Sequence, residues 1–114
     1  MDLQNKIRVG IFGGSGYGGS ELLRILLFHP NVELVFVTAN EQAGKPIGEV
    51  HRNLNGLTQL DFIAAPENVD GVDCVVIATD HKVFSYARMP QRFPIIVDTR
   101  NALKGSTATN IFRL

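Results

Sequence analysis

Tryptophan is absent from this sequence and cysteine occurs once. Neither sign of charge is in excess: 11 Lys and Arg stand against 11 Asp and Glu. A single cysteine, Cys74, excludes an intrachain disulfide framework and fits a reducing compartment. Balanced charge without a basic stripe argues against a nucleic-acid binder, and no run of like charges suggests a tail. No apolar run approaches the roughly 20 residues that a membrane span needs. The opening "MDLQNKIRVG" lacks the hydrophobic stretch of a secretory leader. These absences leave a cytoplasmic domain, residues 1–114 as one unit, long enough to bury one ordinary core.

Glycine, by contrast, is plentiful, with 11 residues, and five of them crowd between residues 13 and 19. Lys6 to Phe12 is apolar and β-branched, as a strand buried on both faces would be. After the glycines, Ser20 to Phe28 carries Leu22, Leu23, Ile25, Leu26 and Leu27. This broad stripe predicts a helix packed hard on a sheet. His29-Pro30 ends it, and Val32 to Thr38 reads as a second strand. Strand, helix, strand in this order implies a right-handed crossover and a parallel pair.

Further along, Gly48 to Asn53 is expected to be a short helix and Leu60 to Ala64 a short third strand. Val72 to Ala78 is expected as a central strand, Lys82 to Met89 as a helix stopped by Pro90, and Pro94 to Asp98 as another strand. "NIFRL" at the end either adds an edge strand or packs against the sheet. The alternation predicts an α/β, three-layer Rossmann-like sandwich with a mainly parallel sheet. The strand order expected is 3-2-1-4-5, counting Leu60 to Ala64 as the third strand.

Gly13, Gly16 and Gly19 stand three apart, with Gly14 and Gly18 beside them. A strand that turns into a helix within a few residues needs conformations that glycine reaches cheaply. Missing side chains let backbone N–H groups approach a pyrophosphate, and the helix N-terminus adds its partial positive charge. Ser15 and Ser20 can donate to phosphate oxygens. The flanking strand and amphipathic helix are the context that gives such a pattern meaning. The bland reading is a tight turn with no ligand. Binders of NAD usually place Asp or Glu at the end of the second strand. Here that place reads "VTANE", neutral at Thr38, Ala39 and Asn40, which favours NADP. Lys45 and Arg52 are candidates to reach a 2′-phosphate.

Residues 7 to about 62, through "GGSGYGGSELLRILLFHPNVEL", "VTAN" and "AGKPIGEVHRNLNGLTQLDF", resemble the N-terminal part of the N-acetyl-γ-glutamyl-phosphate reductase family. The resemblance implies an NADP-binding Rossmann unit, with cofactor contacts at Gly13, Ser15, Gly16, Tyr17, Gly18 and Thr38. From about Asp70 onward, "ATDH" and "VDTRNAL" resemble the C-terminal UDP-binding domain of nucleotide-sugar dehydrogenases such as UDP-glucose 6-dehydrogenase. That resemblance implies a UDP-sugar contact at Arg100. The two halves together read as an engineered chimera joined at a shared strand. The alternative is one diverged natural domain.

Both resembled families use a cysteine nucleophile from segments that these 114 residues do not match. Cys74, in mid-strand, reads as a small buried hydrophobe. His81 beside Asp80 is either a phosphate contact or a solvated loop residue. His29 and His51 read as loop or cap residues, and no histidine spacing suggests a metal. Arg100 either binds ligand or pairs with Asp98. Tyr17 either stacks near the cofactor or covers the first helical turn. The expectation is a domain without catalytic activity that retains some NADP binding. The alternatives are a UDP-sugar binding module and a reductase fragment acting with another chain. A dinucleotide or UDP-type small molecule is the expected partner, with self-association open.

Overall fold

The computed structural model describes residues 6–67, 69–79 and 86–113. Five parallel strands form one sheet: β1 (Ile7–Phe12), β2 (Val32–Val37), β3 (Cys74–Ile77), β4 (Ile95–Asp98) and β5 (Ile111–Arg113). Their order is β2-β1-β3-β4-β5. Among the described residues three helices accompany them: α1 (Tyr17–Leu27), α2 (Ile47–Val50) and α3 (Met89–Arg92). Short 3-10 turns cover Arg52–Leu54 and Tyr86–Arg88.

Side chains alternate across each strand, so the sheet buries two separate cores. On one face Ile11 and Val37 meet Leu23 of α1 together with Ile47, Leu54 and Phe62 from the segment after β2. On the other, Phe12, Phe36, Val75, Ile77, Ile96 and Ile111 pack with Met89 and Phe93. Three phenylalanines anchor this second core. Phe12 lies edge-on to Phe36 at 5.4 Å and to Phe93 at 5.9 Å between ring centroids. Gly10 is required here by contact, because a Cβ on it would lie 2.0 Å from the Phe36 ring. The register of β1 against β2 also slips between Val9 and Gly10.

The α/β class and parallel sheet are as the sequence predicts, and so are both neighbours of β1. The segment Leu60 to Ala64 does not form a strand. It contributes one parallel bridge, Ile63 to Thr38, and Asp61 makes one antiparallel bridge to Pro46. The bridge puts Ile63 beside the end of β2, where the third strand was expected. "NIFRL" supplies the edge strand β5. The helix α1 begins at Tyr17, three residues earlier than the apolar stripe suggests, because Gly18 and Gly19 are helical. It also packs less tightly than expected: Leu23 is buried, but Ile25 and Phe28 are 53% and 66% exposed. Pro90 does not stop a helix. It occupies the first turn of α3, where its missing N–H costs nothing. The start of the helix expected from Lys82, with Asp80 and His81, lies outside the described residues.

Candidate functional site

The glycine turn lies at the C-terminal end of β1, between the ends of β2 and β3. Gly13 adopts φ +82°, which only glycine takes without strain. Four hydrogen bonds from outside the turn fix it. Gly13 N–H donates to Thr38 Oγ1 at 3.0 Å, and Gly14 N–H donates to the Thr38 carbonyl at 2.9 Å. The Thr79 hydroxyl donates to the Gly13 carbonyl at 3.1 Å. His51 Nε2 meets the Gly14 carbonyl at 2.8 Å. Every backbone polar group of Gly13 and Gly14 is therefore satisfied from within the protein.

The next residues differ. Among the described residues, the N–H groups of Ser15, Gly16, Tyr17 and Gly18 have no protein acceptor. Gly16 is the N-cap of α1 and no side chain caps the helix. The first-turn donors of a helix are unsatisfied by construction and carry the positive end of its dipole. The glycines divide in the same way. A Cβ at Gly13 would lie 2.6 Å from Thr79, one at Gly14 2.2 Å from Val37, and one at Gly19 2.6 Å from the Gly14 backbone. At Gly16 and Gly18 a Cβ would meet nothing within 4 Å. Internal packing accounts for three of the five; open space lies in front of the other two, where the free donors are.

Of the residues singled out from the sequence, Gly13, Ser15, Gly16, Tyr17 and Gly18 are contiguous here, and Thr38 lies beneath them. Thr38 is 0% exposed and faces the turn, so its hydroxyl holds Gly13. Tyr17 is 95% exposed, and its ring does not cover the first helical turn. Lys45 and Arg52 are both exposed, and Arg52 lines an open cleft of about 580 Å³ with Pro46, Glu49, Asn55, Thr58 and Asp61. That cleft shares no residue with the glycine turn. His51, read from the sequence as a loop or cap residue, also touches the turn. Its signal was hidden because 37 residues separate it from Gly14.

Arg100 and Asp98 do not form an ion pair. Asp98 is 0% exposed, and its carboxylate accepts the backbone N–H groups of Arg100 at 3.1 Å, Ala102 at 3.0 Å and Leu103 at 2.8 Å. The acid shapes the loop after β4, including Asn101 at φ +56°, while the Arg100 side chain is exposed. Cys74 opens β3, half-buried. Burial, and secondarily the neighbouring Asp73 charge, push its thiol pKa up, which opposes use as a nucleophile. His29 is a turn residue: its Nδ1 accepts the Asn31 N–H at 3.1 Å.

Comparison with known proteins agrees with this geometry. The family described as semialdehyde dehydrogenase, NAD binding domain, matches residues 8–102. The LysW-L-2-aminoadipate/LysW-L-glutamate phosphate reductase of Saccharolobus solfataricus is 43% identical over 83 residues, 71% of this chain and 24% of that protein. The N-acetyl-gamma-glutamyl-phosphate reductase of Bordetella avium is 47% identical over 81 residues, 69% of this chain and 23% of that protein. The chain thus spans about a quarter of the length of these curated relatives. A crystal structure of aspartate semialdehyde dehydrogenase with NADP from Candida albicans superposes with a TM-score of 0.65 at 19% identity, covering 88% of this chain and 31% of that one. At that identity the likeness concerns the fold.

These findings correct the reading of the second half. One family match runs unbroken through residues 65–70, and β3, from beyond that point, pairs with β1 from Val9↔Cys74 to Phe12↔Ile77. Nothing supports a chimera, an engineered origin, a UDP-binding half or a UDP-sugar contact at Arg100. The expectation of an engineered or stand-alone domain gives way as well, since the relatives are named reductases of which this chain covers about a quarter. The reductase-fragment alternative is the one they favour. With a match over most of its length, a parallel Rossmann-like sheet and a glycine turn presenting free donors, the chain belongs to the semialdehyde dehydrogenase NAD-binding domain family.

Proposed function

We propose that this chain is the NADP-binding part of a reductase acting on an acyl phosphate, of the kind named among its relatives. The observation that carries the reading is the run of N–H groups from Ser15 to Gly18 that have no partner among the described residues, with open space at Gly16 and Gly18. Such a row of donors at a helix N-terminus suits a pyrophosphate. Ser15, Gly16, Tyr17 and Gly18 would hold it through their backbone. Gly13 and Thr38 support the turn from below instead of touching the cofactor. When bound, the cofactor supplies hydride for reduction of the substrate carbonyl.

The choice of NADP rests on the residues after β2. Thr38 and Ala39 are buried and neutral, and Asn40 is exposed and neutral. An acid at this point would hold a ribose 2′-hydroxyl and repel a 2′-phosphate. Titration with NADPH and with NADH, followed by nicotinamide fluorescence, tests the proposal. NADPH should bind more tightly. Equal affinity for NADH would overturn the preference, and no binding of either at millimolar concentration would overturn the function.

A further inference from the structure

We infer that His51 is a positioning residue for the dinucleotide site: through the Gly14 carbonyl it aims the Ser15 N–H outward. The inference rests on the proposed dinucleotide binding and goes beyond it, because His51 belongs to the segment after β2 and not to the glycine turn. Four observations converge. His51 Nε2 lies 2.8 Å from the Gly14 oxygen. The His51 backbone is tied on both sides, its N–H donating to Ile47 O at 2.8 Å and its carbonyl accepting Leu54 N–H at 2.9 Å. The ring stands edge-on to Phe62, 5.9 Å between centroids, and Phe62 is fully buried. Finally, the Ser15 N–H has no protein acceptor among the described residues.

The chemistry follows from these contacts. A carbonyl only accepts, so Nε2 carries the proton in this bond. The Gly14–Ser15 peptide is trans, as are all those described. In a planar trans peptide the C=O and the following N–H point in opposite directions. Holding the Gly14 oxygen on His51 therefore turns the Ser15 N–H away from His51, leaving it unpaired among the described residues, as are the N–H groups of Gly16, Tyr17 and Gly18. Gly14 is flexible enough to let this peptide flip once the oxygen is released. The segment after β2 thus sets the first donor of the site.

The test compares His51→Gln, His51→Asn and His51→Ala in the same chain. The Gln amide nitrogen reaches the place of Nε2, and the Asn amide stops at the place of Nδ1. His51→Gln should bind NADPH within about 3-fold of the wild type. His51→Asn and His51→Ala should lose on the order of 5- to 10-fold, the worth of one hydrogen bond. Amide NMR spectra confirm that each variant is folded; should His51→Ala not fold, the Gln and Asn pair decides. Equal affinity in Gln and Asn variants would overturn the assignment. If the wild type bound no NADPH, the proposed function would fall, yet the ligand-free spectra would still judge His51. The Ser15 amide resonance should be kept in His51→Gln and displaced in His51→Asn, and unchanged resonances in both would overturn it.

Discussion

The Thr38 hydroxyl accepts the Gly13 N–H at 3.0 Å, and the Thr38 carbonyl accepts the Gly14 N–H at 2.9 Å. One residue at the end of β2 thus holds both glycines that leave β1. Thr38→Val keeps the shape and the backbone bond but strips the side-chain acceptor, leaving a buried N–H unpaired. We expect a loss of about 1–3 kcal/mol in urea unfolding. Thr38→Ser, which keeps the oxygen, should retain most of it.

The five clustered glycines should separate into two groups on substitution. Gly19→Ala drives a methyl against the Gly14 backbone at 2.6 Å and should destabilise by about 1–3 kcal/mol. Gly18→Ala meets open space and lies in the helix, so stability should hold or rise by up to about 1 kcal/mol. If the free donors take a phosphate, that same methyl stands in its way and NADPH affinity should drop. Thermal melts and a fluorescence titration on both variants check the contrast.

Asp98 and Arg100 should have opposite sensitivities. Asp98→Ala leaves three backbone N–H groups without their acceptor and should cost about 3 kcal/mol or more. Arg100→Ala removes an exposed side chain and should stay within about 0.5 kcal/mol of the parent. Chemical denaturation of the two variants decides.

Cys74 should be a slow thiol. Burial first, and Asp73 second, raise its pKa, so alkylation by iodoacetamide at pH 8 should lag behind that of the unfolded chain, as mass spectrometry can follow. The linkage has a definite sign. The folded state holds the thiol proton more tightly than the unfolded state does. Its contribution to stability is therefore complete below the ordinary thiol pKa and is lost as pH rises beyond it. Cys74→Ala should remove that part of the alkaline decline.

The elements legible in the sequence were those with a strong local signal. β1, β2, β3 and β4 are short apolar runs, and the glycine turn is visible from its spacing alone. Leu60 to Ala64 misled because its apolar residues serve the core without a continuous ladder: Phe62 packs with Ile47 and Leu54, and the segment makes two isolated bridges, Ile63 to Thr38 and Asp61 to Pro46. The helix stripe overstated burial because amphipathic spacing shows which face can pack and not how much protein covers it. His51 was illegible as a site residue because its partner is a backbone carbonyl, which leaves no trace in side-chain patterns. The second half was misassigned on short words such as "VDTRNAL". Asp98 in that stretch has a local folding task, and Arg100 contributes its amide to it.

The turn at Gly13 and Gly14 is held from three directions at once, by Thr38, by Thr79 and by His51. Thr79 lies 66 residues away from Gly13, across the centre of the sheet. A peptide cut out as the opening strand, helix and strand would therefore carry the glycines without the scaffold that shapes them. The anion cradle is a product of the finished sheet, and the bonded Gly13 and Gly14 amides beneath it should exchange with solvent only when the whole domain opens, while the free donors in front of them exchange quickly.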